Sequence, residues 1–117
     1  MSKNKTSKNW INKQKRDIYI RKSLVEGYRS RAAYKLKEID EKFKIIKNGI
    51  CLIDLGAAPG SWSQYVNKKI KNSKIIAIDL LKFKKIENIQ NLEGDFTELK
   101  TQEQIREHFD SKVDVVL

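Results

Sequence analysis

An apolar run at residues 50–55, a turn built on Gly56 and Gly60 around Pro59, and a helix-forming run over residues 61–70 leave this chain little choice of fold. The order predicts a strand, a tight turn and a helix. The two glycines let the backbone turn sharply and admit a ligand where a Cβ would clash. Ala57 and Ala58 keep the wall of the turn small. The helix that follows offers unpaired N–H groups and the positive end of its dipole. Asp54, at the carboxyl end of the strand, is expected to face the same crevice, because ligands of open α/β sheets bind there.

The glycine spacing narrows the ligand. A dinucleotide site requires G-x-G-x-x-G and a P-loop requires G-K-[ST] after its second glycine. Here the spacing is G-x-x-x-G, followed by Ser61-Trp62, so a nucleotide-dependent oxidoreductase is disfavoured. The D-L-G-x-x-P-G form is similar to the cofactor loop of S-adenosylmethionine-dependent methyltransferases.

Residues 74–79 form a second, almost continuous apolar run, as expected for a parallel strand covered on both faces. Asp79 closes it, about twenty residues after Gly56. An acid there either caps the following turn or accepts both hydroxyls of a nucleoside ribose, and the upstream loop favours the ribose. Residues 86–92 are a weaker strand pattern ending in Glu93-Gly94-Asp95-Phe96. Asp95 is placed to accept from an adenine amino group and Phe96 to pack near the ring, although Gly-Asp alone is a common turn pair. Thr101 with Gln104 predicts a capping box for a helix to Phe109, and a fourth strand is expected over residues 113–117. The fold class is therefore α/β and Rossmann-like.

Ahead of this unit, residues 1–16 are lysine, asparagine and serine with little to bury, and they predict a mobile basic arm. Such an arm is either a solvated tail or an RNA contact, with Trp10 available to stack on a base. Residues 17–117 read as the folded part. A short helix is expected over residues 17–26, ended by Gly27. Ser30 is the expected N-cap of the next helix, with Ala32, Leu36, Ile39 and Phe43 as its apolar face. Lys35 lies off that stripe beside Arg31 and Glu38, a basic group among basic groups.

The 117 residues carry a formal net charge of +10, which points to a polyanionic partner, nucleic acid first. Residues 1–22 hold eight Lys/Arg and one acid, Asp17. Cys51 is the only cysteine, so no disulfide forms within the chain, which fits a reducing cytoplasm. The single histidine, His108, has no second ligand in metal spacing, and no metal site is expected. No apolar run approaches a membrane span, and no secretory signal is visible. The lysine bias of residues 1–16 speaks against an organellar targeting signal.

Four segments occur in order: Ser30-Arg31-Ala32-Ala33-Tyr34-Lys35-Leu36, then Asp54-Leu55-Gly56-Ala57-Ala58-Pro59-Gly60-Ser61-Trp62-Ser63-Gln64-Tyr65, then Ile78-Asp79-Leu80-Leu81, then Glu93-Gly94-Asp95-Phe96. Together they resemble the FtsJ family of ribosomal RNA 2′-O-ribose methyltransferases. The resemblance implies S-adenosylmethionine as cofactor and a uridine of large-subunit (23S) ribosomal RNA as acceptor, within a monomeric cytoplasmic enzyme that works on the large ribosomal subunit. It implies that Gly60 and Trp62 belong to the cofactor loop, that Asp79 is the ribose acid and that Asp95 is the acid on the adenine side. It implies that Lys35 is the first member of a Lys-Asp-Lys-Glu catalytic set. The second member lies in an S-D-M-A-P segment that follows the fourth strand in the family, so the chain reads as the N-terminal part of such an enzyme, inactive alone. Ser61 departs from the family, which usually has a glycine there. A non-catalytic RNA- and cofactor-binding module is the alternative.

Overall fold

A parallel strand buried on both faces has to be apolar along its whole length. Two segments of this chain are nearly so, interrupted by Asp54 in one and bounded by Lys74 and Asp79 in the other, and they lie side by side in the centre of the sheet. The structure, a computed structural model, describes residues 2–109 and 112–117. Strand β1 (Cys51–Leu55) pairs in parallel with β2 (Lys74–Asp79), from Cys51 opposite Lys74 to Leu55 opposite Ile78. Strand β3 (Gln90–Glu93) extends the sheet beyond β2, and β4 (Val115–Val116) pairs with the other side of β1. The order β3-β2-β1-β4 therefore reverses direction at β1.

Helices α2 (Ala32–Phe43) and α3 (Ser61–Lys69) pack together against the sheet. Ala33, Leu36, Ile46, Leu52, Tyr65, Val66, Ile70 and Ile75 form one buried cluster between them. Helix α4 (Leu99–His108) joins β3 to β4. The observed elements bear out the α/β, Rossmann-like reading. β2 has its expected bounds, and β1 and α3 each differ by one residue.

Several local expectations are corrected. Helix α1 (Ser2–Glu26) starts well before the expected residue 17 and runs through the basic segment. Lysine, glutamine and arginine are good helix formers even where nothing is buried. The helix is anchored near its end, where Tyr19 stacks on Tyr34 with ring centroids 5.4 Å apart and the Lys22 ammonium lies 5.0 Å from the same ring. It ends at Gly27, as expected, with φ +81° and Tyr28 N–H donating back to Ser23 O at 2.9 Å.

The buried residues of α2 are Ala33, Tyr34, Leu36 and Asp40, so of the expected face Ala32, Leu36, Ile39 and Phe43 only Leu36 is buried. The cap position is Arg31, although Ser30 Oγ still accepts from Ala32 N–H at 3.3 Å and is also paired with Ser61 Oγ at 2.8 Å. Strand β3 starts later than expected because Asn91 holds the loop before it: Asn91 accepts from Ile86 N–H at 3.1 Å and donates to Ile86 O at 2.8 Å. Helix α4 begins before Thr101, which is buried in its first turn rather than capping it. Strand β4 is shorter than expected, although Asp114 N–H and Leu117 N–H continue the ladder to Cys51 O and Ile53 O at 2.8 and 2.9 Å.

Candidate functional site

Reversal of strand order at β1 opens a crevice at its carboxyl end, and the Gly56–Gly60 turn sits there. The two glycines are required for different reasons. Gly56 has φ +67° and open space where a Cβ would stand. Gly60 has φ +109°, and a Cβ there would lie 2.7 Å from Ile86 Cδ1 and 3.0 Å from Arg29 Nη1. Gly60→Ala is therefore expected to destabilise the fold by about 2 kcal/mol, and Gly56→Ala by less, in urea unfolding. Equal losses would contradict the close packing over Gly60.

The carboxyl end of β2 holds the turn. Ala57 N–H donates to Ile78 O at 3.0 Å, and Ala58 N–H to Asp79 Oδ2 at 2.9 Å. Asp79 Oδ1 accepts from Leu81 N–H at 2.9 Å. Asp79 thus caps its own following turn and ties the glycine loop to β2. It remains partly exposed, and each carboxylate oxygen keeps a second lone pair.

Asp54 does not face the open crevice, which corrects the expectation. It is 2 % exposed and accepts from Ser63 Oγ at 2.7 Å in the first turn of α3. Burial pushes its carboxyl up, hydrogen bonds from Ser63 pull it partly back, and the Asp79 charge adds to the rise. Its role is to fix the helix start beneath the loop, where a carboxylate also meets the positive end of the helix dipole.

Asp95, in the turn after β3, accepts from the Thr97 hydroxyl at 2.6 Å and from Thr97 N–H at 2.9 Å. These bonds hold its carboxyl below the ordinary value. Phe96 beside it is half exposed. Trp62 donates from Nε1 to Ala32 O at 2.7 Å, joining α3 to the first residue of α2. Lys35, one turn along α2, is exposed, with Glu38 at 3.9 Å. Lys35, Trp62, Arg31, Tyr19 and Lys22 line one open cleft of about 820 Å³. The structure thus brings Lys35 and Trp62 to a single cleft, and sets Gly56, Asp79 and Asp95 at the carboxyl ends of β1, β2 and β3.

Sequence reasoning passed over Arg29, Ser63 and Gln64. Arg29 donates from Nη1 to Pro59 O at 2.8 Å, and Gln64 Oε1 accepts from Arg29 N–H at 2.8 Å. Their partners are mostly backbone groups, which leave no mark in a residue pattern.

Residues 28–117 match the family described as FtsJ-like methyltransferase. The chain belongs to that family. FtsJ-like relatives named ribosomal RNA large subunit methyltransferase E include one from Pelagibacter ubique, 62 % identical over 117 residues, covering 100 % of this chain and 58 % of the relative. One from Rickettsia akari is 48 % identical over 118 residues, covering 96 % of this chain and 52 % of the relative. A crystal structure described as that of a ribosomal RNA methyltransferase from Plasmodium falciparum superposes with a TM-score of 0.70 at 35 % identity, over 76 % of this chain and 54 % of that one. This FtsJ-like chain thus spans a little over half the length of the relatives it matches. Among the described residues no helix is long and apolar enough to cross a membrane.

Proposed function

We propose that this chain is the cofactor-binding part of a cytoplasmic, monomeric S-adenosylmethionine-dependent enzyme that methylates the 2′-hydroxyl of a uridine in 23S ribosomal RNA, on the large subunit. One observation carries the reading: the Gly56–Gly60 loop is stitched to Asp79 at the point where strand order reverses, in a chain of the FtsJ-like family.

The residues present fit the cofactor. Asp79 has lone pairs left for ribose hydroxyls beyond its two backbone bonds. The open space beside Gly56 admits a ligand against the backbone. Asp95 and the half-exposed ring of Phe96 suit a flat, amino-bearing base. When bound, the cofactor supplies an electrophilic methyl group on a sulfonium. Lys35 then orients the ribose 2′-oxygen and stabilises the negative charge that develops on it. Cations of α1 and α2 attract the RNA phosphates, an attraction that weakens as salt rises.

The test is transfer of a labelled methyl group from S-adenosylmethionine to undermethylated large ribosomal subunits by the complete protein. Label recovered as 2′-O-methyluridine in 23S RNA is the expected result. Label in another RNA, at a base atom or nowhere removes the assignment. Asp79→Ala is expected to weaken cofactor binding by about 1–3 kcal/mol in isothermal titration, through loss of a ribose partner and of the Ala58 tether. Unchanged affinity in a folded variant takes Asp79 out of the site.

A further inference from the structure

The connection between α1 and α2, residues 27–31, crosses the back of the glycine loop. Arg29 Nη1 donates to Pro59 O at 2.8 Å and also to Lys84 O, while Nη2 donates to Lys85 O at 3.0 Å. One guanidinium therefore gathers three carbonyls from two separate segments: the loop after β1 and the connection between β2 and β3. Gly60 packs against it, since a Cβ there would stand 3.0 Å from Nη1 and 3.5 Å from Cδ. The backbone of the same connection is held independently, by Arg29 N–H to Gln64 Oε1 at 2.8 Å and by Gln64 Nε2 to Gly27 O at 3.3 Å.

We propose that Arg29 is a positioning residue that holds the Gly56–Gly60 loop in its ligand-competent shape. That the ligand is S-adenosylmethionine rests on the function proposed above. The guanidinium suits the task because its planar fork carries five donors. Lysine offers a single compact ammonium, which does not reproduce a planar fork spanning two segments. The loop is tied to β2 on one side through Ala58 and Asp79, and to the β2–β3 connection on the other through Arg29. With the second tie removed, the loop keeps its bonds to β2 and the Gln64 N–H bond to Gly60 O, while the Pro59 carbonyl loses its guanidinium partner. The same clamp lies one bond from the helix of Lys35, because Trp62, two residues after Gly60, donates to Ala32 O at 2.7 Å. Arg29 acts on the ligand through the loop and needs no contact with it.

The test uses the complete protein and two readouts. Hydrogen exchange without ligand reports on the loop, and isothermal titration with S-adenosylmethionine reports on binding. Arg29→Ala is expected to speed exchange of the amides of Ala57, Ala58, Gly60 and Ser61 about tenfold and to weaken cofactor affinity about tenfold. Arg29→Lys is expected to recover little of either, and it is read the same way if the alanine variant does not fold. Asn67→Ala is the control. Asn67 Nδ2 donates to Glu87 O at 3.1 Å in the same connection between β2 and β3, a carbonyl outside the three that Arg29 gathers, and both readouts are expected to stay at the wild-type value. Unchanged loop exchange in a folded Arg29 variant overturns the proposal, as does an equal effect of Asn67→Ala, which would mean general loosening. A wild-type protein that binds no S-adenosylmethionine, while Arg29→Ala still loosens the loop, overturns the cofactor reading alone.

Discussion

Replacing Lys35 with alanine in the complete protein is expected to lower methyl transfer by about 100- to 1,000-fold while leaving cofactor affinity within about twofold. The expectation follows from where Lys35 stands. It is on α2 and lines the cleft beside Trp62, whereas the residues suited to the cofactor lie at the carboxyl ends of β1, β2 and β3. Its side chain is 68 % exposed and its acidic neighbour, Glu38, is 3.9 Å away, so the ammonium is free to turn toward an incoming ribose. Removing a group that acts on the acceptor oxygen lowers turnover, and binding of the donor is unaffected. Single-turnover transfer with saturating cofactor, alongside isothermal titration, separates the two effects. A variant that loses cofactor affinity but keeps its rate would show that Lys35 belongs to the donor side.

Replacing Asp40 with alanine is expected to destabilise the fold by about 3 kcal/mol. Asp40 is fully buried on α2. Its carboxylate accepts from Tyr65 Oη at 2.8 Å and from Ile46 N–H at 2.9 Å, and it is paired with Lys69. These groups bind α2 to α3 and to the entry of β1, so the truncation strips three donors of their partner at once. The estimate sits at the low end for a buried pair because Lys69 is 41 % exposed and can return to water. Asp40→Asn should recover part of the loss, since an amide oxygen still accepts from Tyr65 or Ile46.

The pH dependence of stability carries the same signature. Burial acts to raise the Asp40 carboxyl, but Lys69, Ile46 N–H and Tyr65 outweigh it and hold it below its ordinary value of 3.8. A group depressed in the folded state stabilises the fold fully above its unfolded pKa and loses that contribution as pH falls through the folded one. The wild type should therefore lose stability below about pH 4 more steeply than Asp40→Ala, a difference that urea titrations at successive pH values measure. Parallel acid slopes would remove the buried carboxylate from the account.

The residues that were legible in the sequence share one property: their environment is set by near neighbours in the chain. β1 and β2 were readable because a strand covered on both faces is apolar without interruption, as in Leu52-Ile53 and Ile75-Ile76-Ala77-Ile78. The turn between β1 and α3 was readable because positive φ at Gly56 and Gly60 demands glycine, and Gly27 ended α1 for the same reason. The motif set around Lys35, the glycine loop, Asp79 and Asp95 pointed to the FtsJ-like family that residues 28–117 match.

Other features depended on contacts that no local residue pattern encodes, and only the tertiary structure decided them. Asp54 looked like a crevice acid by its place at the end of β1, yet it turns inward because Ser63 and the start of α3 receive it. Asp40 reads as one more polar helix residue until Tyr65 and Lys69 are brought beside it by packing of α2 on α3. Thr101 carries the pattern of a cap but lies inside α4, against Gly94. Arg29 gave no signal, because its partners are carbonyl oxygens of Pro59, Lys84 and Lys85, and every residue has one. Local periodicity and backbone stereochemistry act over a few residues and are written in the sequence. Which side chains meet Asp40, and which carbonyls meet Arg29, is set by contacts across 25 to 56 residues, and those exist only once the helices pack on the sheet.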